Sequence, residues 1–252
     1  MANDDDLKLV RLFAARLDRL YEKLSGGLDL RGARLFQVDL MNADLSSADF
    51  AGADLSHVRL HHTTLNEANF EGARLEFVHF EGADLDGANF SDATFIGVDF
   101  SGSDFSGSNL TKANLAEALN LKHAAFYDAI LAGADLSGRD LEGTNFECAD
   151  LSDCDLSDAN LRGANLDEAA LKGANLTDAD LTGASLSDTN LSGADLSDAI
   201  LREADLYRAN FTGVKFESTK FDGAKVGDTV FDADMAPRIQ ALIDHDVVKG
   251  YL

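Results

Sequence analysis

The chain has 252 residues, 45% of them hydrophobic, and its 45 acidic against 21 basic side chains give a formal net charge of −24. That balance excludes a nucleic-acid or anionic-membrane binder and favours basic partners. No apolar run approaches the ~18 residues of a membrane span, two cysteines make no disulfide scaffold, and the acidic start Met1-Ala2-Asn3-Asp4-Asp5-Asp6 is unlike a secretory signal, so a soluble, cytoplasmic protein is expected.

Residues 1–27 read as an N-terminal amphipathic cap helix. Leu7, Val10, Ala14, Leu17, Tyr21 and Leu24 recur at helical spacing, with Phe13 and Leu20 widening the stripe. Asp4 to Asp6 suit a helix N-terminus and Gly26-Gly27 an end. Lys8, Arg11, Arg16, Arg19 and Lys23 fill much of the remaining surface. A solvated cap on the first coil is the expected role; a basic membrane or partner helix is the alternative.

Residues 28–231 are a repeat. Every fifth residue from Leu30 to Leu115, and again from Leu121 to Phe231, is Leu or Phe, with Val226 the one departure in 41 positions. Calling this residue i, position i−2 is Ala in 25 of the 41 units, i−1 is mostly Asp or Asn, and i+2 holds 17 of the 21 glycines. A period of five fits neither a continuous helix nor a continuous strand, because either would smear the apolar set over several faces. The pattern closes if i−2 and i point inward from a short extended segment while i+1 and i+2 turn the chain. Small-then-large alternation then fills a narrow interior.

Val38, Val58, Val78 and Val98 replace Ala at i−2 every twenty residues, with Leu119 next in that column. Twenty residues per coil is four pentads and a square section. The 41 units give about ten coils, ~50 Å at the strand spacing. Between Leu115 and Leu121 the phase slips by one residue at 116–120, for which a bulge or widened turn is expected. Arg139 falls on an inward i−2 position, where an unpaired charge is costly, so its guanidinium is expected to escape outward, pair with a carboxylate such as Asp140, or distort the coil. Cys148, outward, and Cys154, inward, are not expected to pair.

Residues 232–252 are expected to form a short helix, with Asp234 as N-cap before Pro237, and an apolar tail. Ile239, Leu242, Ile243, Val247, Val248, Tyr251 and Leu252 either fold back on the last coil or meet a second copy across a two-fold axis, a homodimer contact.

No catalytic constellation, cofactor fingerprint or metal-ligand spacing stands out. His57, His61, His62 and His79 gather near one side, with His79 expected between Arg59 and Asp99, but mixed surface positions do not define a coordination geometry. A ladder of equal Asp residues lacks the unequal pair that acid–base catalysis needs, so no enzyme, cofactor or metal is expected. The charge is the remaining signal. Residues 28–231 carry 36 acidic and 14 basic side chains, while the first 27 balance at five of each. Assigning pentads to four faces gives −3, −7, −2 and −10 for those centred on Leu30, Leu35, Leu40 and Leu45. The fourth and most acidic face holds Asp44, Glu67, Asp84, Asp86, Asp104, Asp128, Glu147, Asp167, Glu168, Asp188, Asp205 and Asp228, against Arg208 and Lys225. Outward apolar residues Phe36, Phe77 and Ile96 lie on the second face, with Tyr127 and Tyr207 on the fourth.

The units A-D-L-S-S, A-D-F-A-G, A-N-L-R-G and A-D-L-T-G resemble those of the pentapeptide-repeat proteins, over roughly residues 28–231. The resemblance implies an all-β solenoid, a right-handed quadrilateral β-helix. Several members, similar to quinolone-resistance proteins, act as DNA mimics that bind type II topoisomerases. By that resemblance the fourth face is the candidate partner-binding surface, directed at a basic DNA-binding groove. Those members often carry long loops and begin in the repeats, whereas this chain has a one-residue slip and an expected N-terminal helix. A protein-interaction scaffold without a topoisomerase role is the alternative.

Overall fold

A computed structural model describes residues 27–233, which fall into two compact units, within Met1–Ile130 and Leu131–Leu252. The expected helices, with the apolar stripe from Leu7 to Leu24 and the contact from Ile239 to Leu252, lie outside the described residues. No helix occurs among the described residues.

In each unit the chain winds in laps of twenty residues bonded in parallel register. In the first unit, four short strands form one side: β1 (Arg34–Phe36), β2 (Asp54–Ser56), β3 (Arg74–Glu76) and β4 (Thr94–Ile96). They pair in that order, with Leu35 beside Leu55, Leu55 beside Leu75 and Leu75 beside Phe95. The other sides are single bridges, such as Asp49 to Asn69 to Asn89 in the first unit and Asp155 to Asn175 to Asp195 in the second.

The pentad repeats because its five amides have five different acceptors. Around Phe90, the Ala88 amide closes the preceding turn onto the Leu85 carbonyl, Asn89 donates to Ala68 one lap earlier, and Phe90 and Asp92 donate to Asn109 and Thr111 one lap later. That leaves the Ser91 amide, which donates to the Asn89 Oδ1 at 3.1 Å. The pentad around Leu176 repeats the scheme, with Thr177 donating through both amide and hydroxyl to the Asn175 Oδ1. Asp and Asn at i−1 are therefore turn acceptors that leave no amide unpaired. At i+2 the backbone is left-handed whether or not the residue is glycine: φ is 61° at Gly97, 60° at Asp178 and 51° at Phe77.

Inside, the central residues are sealed: Leu55, Phe90 and Leu176 have 0% exposure. The first unit is aromatic at its centre, with Phe50 on Phe70 at 4.6 Å and Phe70 on Phe90 at 4.7 Å, both stacked. The second is mostly leucine. Among the central residues the inward assignment weakens only at Phe216, Val226 and Phe231, which are half-buried; no later lap follows them among the described residues.

Most hydroxyl residues at i−2 make the same bond, while the buried hydroxyls of Ser108 and Thr144 have no hydrogen-bond partner among the described residues. Thr63 donates to the Leu40 carbonyl, Ser103 to Phe80, Thr189 to Leu166 and Thr219 to Leu196, always 23 residues back. Cys154 does the same to Leu131, and burial first of all pushes its thiol up to about 12. Cys154 is buried and Cys148 half-buried.

One inward expectation is corrected. At the slip it is Ala118, 1% exposed, that enters the core, its amide closing the turn onto Leu115 at 3.0 Å, while Leu119 is expelled at 68% exposure. The extra residue is a one-residue bulge, after which the register runs Asp99 to Asn120 and Asp104 to Ala125. Arg139 takes the escape route: it is half-buried, and its Nε donates to the Ser137 carbonyl at 3.3 Å.

Candidate functional site

The bridges bring the candidate acidic residues together within each unit. In the first, Asp44, Thr64, Asp84, Asp104 and Ala125 form one i−1 column. Asp44 and Asp104 each accept both the amide and the hydroxyl of a serine two residues on, Ser46 and Ser106. Beside them Glu67, Asp86 and Asp128 are exposed, Glu67 and Asp128 at left-handed i+2 corners. In the second unit the column is Asn145, Asn165, Ser185, Asp205 and Lys225. Glu147 accepts from Asn165 at 3.1 Å, and Asp167 accepts from the Ser185 hydroxyl and the Ser187 amide. Asp188 pairs with Arg208 at 2.9 Å and Asp205 with Lys225 at 3.1 Å. Glu168 is exposed, with the Cys148 thiol 3.9 Å from its Oε2. The candidates thus divide into turn acceptors near the backbone and carboxylates projecting from corners.

The basic residues are largely absorbed by pairing along columns. Arg59 pairs with Asp39, Arg162 with Asp180, Arg202 with Asp222 and Lys215 with Asp195. The Ser197 hydroxyl, opposed by desolvation and aided by the Ser197 amide and Lys215, holds the Asp195 carboxyl below its usual range. Asp29 is held at about 2, first by the side-chain hydrogen bond from Arg31.

Family models for "Pentapeptide repeats" match residues 27–61, 53–92, 154–193 and 189–226, and "Pentapeptide repeat region" matches residues 73–146. The chain belongs to the pentapeptide-repeat family. Among solved structures, this pentapeptide-repeat protein is similar to HetL, a pentapeptide repeat protein involved in heterocyst differentiation regulation from the cyanobacterium Nostoc, at 28% identity over 89% of this chain and 96% of that one, with a TM-score of 0.32. A form of QnrB1, a plasmid-mediated fluoroquinolone resistance protein, matches at 18% identity over 82% and 95%, TM-score 0.38. A pentapeptide repeat protein of the Arabidopsis thaliana thylakoid lumen matches at 36% identity over 48% and 70%, TM-score 0.27. Comparison with curated protein sequences finds no match.

Three surface features were read only in part from the sequence. The second side of the second unit carries Asp135, Asp155, Asp158, Asp178, Asp195 and Asp198 with no basic residue until Lys215, a run hidden when the whole chain is summed by face. On the second side of the first unit, His57 lies in ring contact with both Phe36 and Phe77, at 5.8 and 5.1 Å, and the two phenylalanines are 64% and 43% exposed. Ile96, expected beside them, is half-buried. Third, His61, His79 and Glu81 converge on one patch; the expected place of His79 between Arg59 and Asp99 is seen in the bridges. No helix among the described residues is long and apolar enough to cross a membrane.

Proposed function

We propose that this pentapeptide-repeat protein is a non-catalytic binding protein that imitates duplex DNA toward a basic groove, and that its partner is a type II topoisomerase, DNA gyrase or topoisomerase IV. The supporting observation is the linear charge of the second unit. Residues 131–233 hold 21 acidic and 8 basic side chains, a net −13. Laps of twenty residues at the ~4.8 Å strand spacing make this about five laps and ~25 Å, or one net charge per ~1.9 Å. Duplex DNA carries one per ~1.7 Å. The first unit, net −10 over residues 27–130, is less dense at one per ~2.5 Å. The acids recur as like members of columns, which suits a field directed at a groove and not the unequal pair of acid–base catalysis. A cytoplasmic location goes with this reading.

Supercoiling by purified gyrase is the test. Addition of the full chain up to tens of micromolar is expected to inhibit supercoiling or to protect the enzyme from drug poisoning, with the effect fading as salt rises. Supercoiling and poisoning both unchanged would remove the topoisomerase reading. The exposed Phe36–His57–Phe77 contacts favour a second reading, a protein-interaction scaffold anchored by aromatic rings on the first unit. That reading expects binding that persists at high salt.

A further inference from the structure

We propose that His61, His79 and Glu81 form a binding site for one divalent transition ion of the zinc class. His61 and Glu81 occupy the same i+1 position on successive laps, after Leu60 and Phe80, and His79 occupies i−1 of the later lap. The backbone fixes this placement, since Leu60 donates to the His79 carbonyl at 2.7 Å and His62 to that of Glu81 at 3.0 Å. One donor atom from each of the three side chains lies within 4.8 Å of the other two. Glu81 reaches both rings, with Oε1 3.0 Å from the His79 Nδ1 and Oε2 3.3 Å from the His61 Nε2. The second contact is not aligned as a hydrogen bond, and Glu81 Oε2 and His61 Nδ1 are enclosed without a hydrogen-bond partner. Arg59, the nearby cation in the sequence, is drawn instead to Asp39 on the preceding lap.

The donor set decides the ligand class. Two imidazole nitrogens and one carboxylate suit zinc and its transition-metal neighbours, whereas calcium and magnesium take oxygen donors. Metal–ligand bonds of ~2.0–2.2 Å put tetrahedral donors ~3.3 Å apart, close to the two contacts already made by Glu81. The rings now stack at 5.2 Å and 13°, so closure on an ion turns the His79 ring, which has 43% of its side chain exposed. Partial exposure of all three side chains leaves the remaining coordination position to water.

Calorimetric titration of the tag-free full chain with zinc chloride near neutral pH is expected to show a single zinc per chain. His79→Gln and Glu81→Gln each weaken it about ten-fold or more, while His62→Gln, at an exposed neighbouring corner, leaves it unchanged. All three variants keep the wild-type melting curve because the side chains point outward. Cobalt in place of zinc gives absorption bands of nitrogen and oxygen ligation. No saturable zinc binding by the wild type, affinity unchanged in both ligand variants, or a thiolate charge-transfer band from cobalt would each overturn the site.

Discussion

The Thr177 amide has one acceptor, the Asn175 Oδ1 at 3.2 Å, and that oxygen is present in Asp and Asn alike. From sequence such residues read only as surface charge. Their backbone role was hidden because the amide they satisfy is local, two residues on, while the visible period concerns what is inside. Charge at i−1 is thus separable from the acceptor function, and the same logic sorts the cysteines. Cys154 at i−2 donates to the Leu131 carbonyl and is buried, its thiol pushed up to about 12 chiefly by desolvation, while Cys148 is half-buried at a corner. A thiol-disulfide reagent at mildly alkaline pH is expected to modify Cys148 alone in the native protein and both residues in denaturant. Equal rates for the two native thiols would contradict the inward placement of Cys154.

At the scale of the lap, the twenty-residue period was legible because the Leu, Phe and Val columns record it directly. The slip was legible as a count, but not which residue leaves the core. Leu119 looked inward because it is apolar; turn closure from Ala118 to Leu115 fixes Ala118 inside, and the larger side chain is expelled. Arg139 was readable as a conflict, and its resolution at the Ser137 carbonyl required coordinates. Because each lap bonds to the next, a core fault should spread beyond its own pentad. Leu171, 0% exposed between the laps of Leu151 and Leu191, is the place to test this. Leu171→Asp places an unpaired carboxylate in an apolar interior and should cost about 4 kcal/mol or more, an exceptional loss for one substitution. Thermal denaturation followed by circular dichroism should show the main transition fall steeply; a wild-type melting temperature would contradict the packing.

Over the molecule as a whole, two demands share the same residues. Most turns take an oxygen at i−1 and a left-handed backbone at i+2, and Asn meets both as well as Asp does. A basic groove, by contrast, responds to charge. The fourth face was legible as the most acidic by counting, yet its division into turn acceptors and projecting corner carboxylates was not, since both are written with the same letters. The measurement that separates the two demands is one variant, Glu67→Asn with Asp128→Asn and Glu168→Asn, compared with the wild type in melting temperature and in the gyrase supercoiling assay. All three are exposed corners at left-handed φ. The melting temperature should hold to within a few degrees while the concentration needed to affect supercoiling rises several-fold. An undiminished effect on gyrase in the folded variant would contradict the claim that the projecting carboxylates carry the binding.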